Sequence, residues 1–110
     1  MNMDEILPPV VSGWQTVTAD DDRIINEGVT LLHGVYLTAS NGTADVDVYE
    51  GTDAFSGRRV FSLKAPNGQT KEMIFDPPIL LERGIYLVTG NKVYTCLVAF
   101  TPVRGWVKGR

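Results

Sequence analysis

The chain has 110 residues, 44% hydrophobic and 21% charged, with a formal net charge of −3. A chain of this length holds one ordinary core without staples, and it is too apolar and too weakly charged to be disordered. The acidic balance lacks the clustered positive surface that nucleic acid requires, and no run approaches the ~18 apolar residues of a membrane span, so neither partner is expected.

Met1 to Val11 is acidic through Asp4 and Glu5 and lacks the basic n-region of a signal peptide. Pro8-Pro9 holds it extended, and it is expected to be an N-terminal arm over residues 1–11, ahead of a domain over 12–101. Trp14 to Thr18 and Arg23 to Asn26 are short strand candidates. Val29 to Ser40 predicts a long strand with Val35, Leu37 and Ala39 on one face and Tyr36 and Thr38 on the other. Gly34 interrupts it as a bulge or a bend would. Thr43 to Tyr49 alternates most clearly, with Ala44, Val46 and Val48 opposed to Asp45 and Asp47. Gly51 to Gly57 reads as a flexible connection. Arg59 to Lys64, Gly84 to Thr89 and Lys92 to Thr101 are rich in β-formers, and Thr70 to Phe75 and Ile79 to Leu81 are weaker strands near Pro77-Pro78. Pro102 to Arg110 carries Arg104, Lys108 and Arg110 with no acid, so residues 102–110 form a basic C-terminal tail opposite in sign to the arm.

Asn41-Gly42 favours positive φ at both central turn positions and predicts a tight hairpin. Gly90-Asn91 and Asn67-Gly68 predict the same, with antiparallel pairing of sequence neighbours. About eight strands must each bury one face, and two packed antiparallel sheets satisfy that. The expected fold is an all-β antiparallel sandwich, jelly-roll or immunoglobulin-like, with a small closed barrel as the alternative. The paired cysteines of the immunoglobulin pattern are absent.

Candidate chemistry is sparse. Cys96 is the only cysteine and His33 the only histidine, so one chain cannot assemble a His/Cys zinc site. Cys96 reads as a small buried apolar residue, and His33 as a strand residue, hydrogen-bonded or half exposed. Ser12, Ser40, Ser56 and Ser62 lie outside any nucleophile elbow. Asp20-Asp21-Asp22 and the group Asp45, Asp47, Glu50 and Asp53 match no calcium loop, and Gly51 to Gly57 lacks a P-loop ending. No catalytic, cofactor or metal residues are expected. Trp106 near the chain end is costly to leave in water and suits an interface anchor. Asp4, Glu5, Arg104, Trp106, Lys108 and Arg110 are therefore the expected interface residues.

The stretches GVTLLHGVYLTASNGTADVDVYEGTDAFSGRRVF, LKAPNGQTKEMIF and ILLERGIYLVTGNKVYTCLVAF span Gly28 to Phe100. In order, a GVYL strand, a DVYEG strand, a glycine-containing loop, a K-A strand, RGIYLVTG and a final valine-rich strand resemble small β-sandwich virion proteins of tailed bacteriophages. The resemblance implies a head decoration, head fibre or other auxiliary structural protein, made in the host cytoplasm and residing in the virion. It implies binding to the major capsid protein, another virion protein or further copies of itself, often as trimers. It carries over no functional residues. The competing expectations are a carbohydrate- or host-surface-binding module with exposed Tyr or Trp, and a small enzyme with a pocket at His33 or an acidic pair.

Overall fold

The computed structural model describes residues 13–103. Their strands are β1 (Gly13–Val17), β2 (Arg23–Asn26), β3 (Thr30–Ala39), β4 (Ala44–Glu50), β5 (Arg58–Ala65), β6 (Thr70–Leu81), β7 (Ile85–Thr89) and β8 (Val93–Pro102). They form two four-stranded sheets, sheet 1 in the order β1-β8-β3-β6 and sheet 2 in the order β2-β7-β4-β5, and every pairing is antiparallel. The sandwich expectation holds, and the strand order is that of a jelly roll.

The alternation expected along Thr43 to Tyr49 is the one observed. Ala44, Val46 and Val48 are fully buried, while Asp45 and Asp47 stand on the other face. They meet Leu32, Val35, Leu37, Cys96 and Val98 of sheet 1 in a single core. Each fully buried Leu or Val contributes roughly 1.5–3 kcal/mol relative to exposure, so the inner faces fix which side of each strand points inward. In β3 the inward set changes phase: Thr30 and Leu32 are buried, then Val35, Leu37 and Ala39. The shift falls between Leu32 and Gly34 in the pairings with both β6 and β8, a bulge at the glycine that interrupts the pattern.

The expected hairpins are corrected. Asn41-Gly42 joins β3 of sheet 1 to β4 of sheet 2, and neither residue has positive φ. Asn67-Gly68 and Gly90-Asn91 also cross between sheets. β4 and β5 are the only consecutive strands that share a sheet among the described residues. The crossing connectors hydrogen-bond to one another instead of closing their own ladders. Ala39 N–H donates to Gln69 O (2.9 Å), Ser40 N–H to Lys92 O (2.9 Å), Gly90 N–H to Asp45 O (3.0 Å) and Asp20 N–H to Gly90 O (3.2 Å). Burial decides the outcome: inner faces about 10 Å apart must each be covered, which outweighs the preference of one turn dipeptide.

The two expected strands around Pro77-Pro78 are one edge strand, β6. Leu32 and Gly34 of β3 pair with Ile79 and Ile74, so residues 75–78 stand opposite His33 alone. An edge strand tolerates prolines because one side of its ladder is unpaired. At the other boundary, Pro102 still pairs with Thr30 and Val103 N–H donates to Val29 O. Ordered pairing thus runs past the Thr101 limit expected for the domain.

Two buried hydroxyls fasten connectors to the core. Thr89 Oγ1 accepts from Asp21 N–H (2.9 Å) and donates to Thr18 O (2.7 Å). Thr30 Oγ1 donates to Gly28 O (3.0 Å) and accepts from Asn26 Nδ2 (2.6 Å). Buried polar atoms are thereby satisfied, as a dry interior requires.

Candidate functional site

The chemistry-bearing residues lie apart. His33 sits at the β3 bulge with Nε2 2.8 Å from Thr101 Oγ1, and partial burial lowers its pKa below the usual 6.5. Cys96 is fully buried in the core, and desolvation pushes its thiol up to about 12. Ser40 donates to Lys92 O, Ser56 to Asp53 and Ser62 to Asp47. The acidic groups separate in the same way: Asp21 pairs with Arg23 at 2.8 Å and Glu50 with Arg58 at 2.8 Å. No three His, Cys, Asp or Glu residues among those described come together as a ligand set.

One end of the sandwich carries a built feature that sequence reasoning missed. The connection between β4 and β5, read from sequence as flexible, carries a set of internal hydrogen bonds. The Asp53 carboxylate accepts from Phe55 N–H (2.9 Å), Ser56 N–H (2.7 Å) and Ser56 Oγ. These donors hold its pKa below the ordinary range, the Ser56 backbone N–H foremost. Gly57 N–H donates to Asp53 O, and Gly51 N–H to Gly84 O. Arg83 Nη2 reaches Ser56 O at 3.0 Å. On this braced loop the Phe55 side chain is 103% exposed. The signal available in the sequence was Asp53 two and three residues ahead of Phe55 and Ser56, the spacing at which a carboxylate caps a turn.

Beside the loop, Glu50, Arg58, Glu82 and Arg83 line an open cleft of about 240 Å³. Glu50 is fully engaged there: one oxygen accepts from Arg58 Nη2 and the other from Glu82 N–H at 2.7 Å. The Arg58 hydrogen bond is the main reason its pKa lies below the ordinary 4.5. A carboxylate lowered in the folded state adds stability above its unfolded pKa and loses it as pH falls through the folded value. Arg58→Ala is therefore expected to lower the urea midpoint near neutral pH, and the gap from the parent should close as acid protonates Glu50 in both proteins. A gap independent of pH would mean that Glu50 is not what Arg58 supports.

The two outer sheet faces differ. On sheet 2, Tyr49 and Tyr86 are register partners, and the pairs Asp45–Lys64 and Asp47–Ser62 continue a polar face. On sheet 1, the outward rows are Thr101, Leu31 and Leu80; then Trp14, Ala99, Gly34 and Ile74; then Thr16, Leu97, Tyr36 and Glu72; then Thr95, Thr38 and Thr70. The Tyr36 ring lies against Gly34, where an added β-carbon would meet the ring edge at 3.5 Å and the Met73 carbonyl oxygen at 3.2 Å. Trp14 and Ile74 are 57% and 58% exposed, and Leu80 41%.

The interface residues expected from sequence, Asp4, Glu5, Arg104, Trp106, Lys108 and Arg110, lie outside the described residues. The chain enters β1 at Gly13, paired with Phe100, and leaves β8 beside Val29. Both ends of the described chain thus meet the end of the sandwich that carries the Phe55 loop.

No family model matches the chain. No curated protein matches it either. Among solved structures, it is similar to one described as "Bacillus endospore appendages form a novel family of disulfide-linked pili", at 13% identity and TM-score 0.42, covering 94% of this chain and 99% of that one. It is also similar to hydroquinone 1,2-dioxygenase from Sphingomonas sp. TTNP3, at 12% identity and TM-score 0.37, covering 82% of this chain and 59% of that one.

Proposed function

We propose that the chain is a non-enzymatic structural protein of a bacteriophage virion, a capsid decoration or auxiliary protein that works by protein–protein contact. The observation that carries the reading is Phe55, held wholly in solvent by a loop whose backbone is fastened at Asp53, Gly51 and Ser56. An aromatic ring on a pre-ordered support is the form that interface anchors take, because little entropy is lost on docking. The ordered resemblance across Gly28 to Phe100 supplies the virion as the setting.

The test is co-sedimentation with heads assembled from the major capsid protein encoded in the same genome. The parent chain is expected to co-sediment, and Phe55→Ser to bind at least ~30-fold more weakly with unchanged circular dichroism, as losing an aromatic anchor costs about 2 kcal/mol or more. A parent that ignores the heads removes the capsid as partner. Undiminished binding by Phe55→Ser removes the loop as the contact. A second reading, glycan binding, is favoured by Tyr49 and Tyr86 side by side on the outer face of sheet 2, with Arg59 opposite Tyr49.

A further inference from the structure

We propose that the outer face of sheet 1 is a self-association surface, on which a second copy of this chain packs face to face about a two-fold axis. The inference deepens the protein-contact reading above by naming one partner and the surface that receives it.

Three observations lead to a second copy. The first is chemical. Among the paired residues of the outward rows of sheet 1, Glu72 on edge strand β6 is the only charged side chain, with His33 and the β6 bulge that carries Asp76 between the first two rows. Trp14, Leu31, Leu97, Ile74 and Leu80 supply the large apolar groups, which a solvated sheet face would not concentrate. The outer face of sheet 2, with Asp45, Asp47, Arg59 and Lys64 in its rows, shows what a wet face looks like in the same molecule. A partner for the sheet 1 face must itself be nearly uncharged, since burying an unpaired charge there is costly. The same face on another copy meets that condition without further assumption, and in an isologous contact each patch meets its own equivalent.

The second observation is shape. The face is a four-stranded sheet interrupted between its first and second rows by the bulge at His33 and Gly34, and the Tyr36 ring lies against Gly34. Sheets stack face to face about 10 Å apart when their side chains are of such moderate height, as in the interior of this sandwich. The third is size. Strands ~4.8 Å apart and residues ~6.7 Å apart along one face give roughly 450 Å² per copy for the fourteen positions in these rows. Two copies then bury about 900 Å², close to the ~1,000 Å² of the smaller specific interfaces. Thr38, Thr70 and Thr95 close one end of the face, a polar margin beside its apolar centre.

Sedimentation velocity on the full chain across micromolar concentrations tests this. The parent is expected to show a doubling of the 12.1 kDa chain mass. Ile74→Arg, on an edge strand and outward, is expected to remain folded and weaken dimerisation by roughly a thousandfold or more, because the two-fold axis places two uncompensated guanidinium groups in one interface. Phe55→Ser should dimerise like the parent. If Ile74→Arg does not fold, Trp14→Glu on the opposite edge strand replaces it. A monomeric parent overturns the proposal, including the case where the chain's own N-terminal residues cover the face. A trimer or an Ile74→Arg dimer overturns it equally. A dimer that ignores phage heads would sink the virion reading alone, whereas a monomer that binds heads would sink this one alone.

Discussion

Gly84→Ala is expected to lower stability by about 3–5 kcal/mol, through strain and a backbone clash acting together. Gly84 has φ +98°, a conformation that L side chains rarely adopt. A β-carbon there would lie 2.4 Å from the carbonyl oxygen of Asn26 and 3.3 Å from the Glu27 Cα. Both neighbours are backbone, so no side chain can swing away, and the turn between β6 and β7 must part from the end of β2. Its carbonyl also accepts from Gly51 N–H, so the Phe55 loop loses a support in the same step. Gly68→Ala is the control. Its φ is +70°, yet nothing lies within 4 Å of an added β-carbon, and strain alone should cost about 1 kcal/mol. Urea midpoints of the two variants separate clash from strain, and equal losses would refute the clash.

Cys96 is expected to be silent toward thiol reagents in the folded protein and to react only through unfolding. It is fully buried, and desolvation moves its pKa from 9.0 to about 12. The thiolate is the reactive form, so burial suppresses both its population and its access. The sign of the linkage follows. A group whose pKa is raised on folding supports the folded state below its unfolded value and withdraws that support as pH rises towards the folded one. The interval from 9.0 to about 12 corresponds to about 4 kcal/mol, an order of magnitude. The comparison that isolates the thiol is with Cys96→Ala. Between pH 9.0 and about 12 the parent should lose stability more steeply than the variant. Parallel slopes, or labelling faster than unfolding, would show the thiol to be accessible.

Local pattern made the strands legible. Period-two alternation in Ala44, Val46 and Val48, and a glycine breaking the run at Gly34, are consequences of burying one face, and each is written within a few residues. Sheet membership is not local. The preference of Asn41-Gly42 for a hairpin is real, but where the chain goes after Ala39 is settled by which inner faces can cover each other, and those faces come from strands far apart in sequence. The outer apolar face was illegible for the same reason. Trp14, Leu31, Ile74 and Leu80 are single apolar residues in separate segments, and only the register of four strands gathers them. The Phe55 loop was partly legible, because Asp53 and Ser56 have capping chemistry, yet the bracing from Gly84 and Arg83 arrives through the fold.

The central place of β8 in sheet 1 has a consequence for how the chain acquires its structure. β8 lies between β1 and β3, and Gly13 waits for Phe100. During synthesis, β1 has no partner until nearly all the described residues have been made, and β3 has only β6. Sheet 1 therefore closes late, and its edge β1 is the part most exposed to a wrong pairing meanwhile. Pairings of such sequence separation place the chain among the slower single domains, in the range of about milliseconds to seconds. A chain stopped before β8 leaves both β1 and β3 with an open ladder, so ribosome-held fragments ending before Val93 should resist folding whatever their composition.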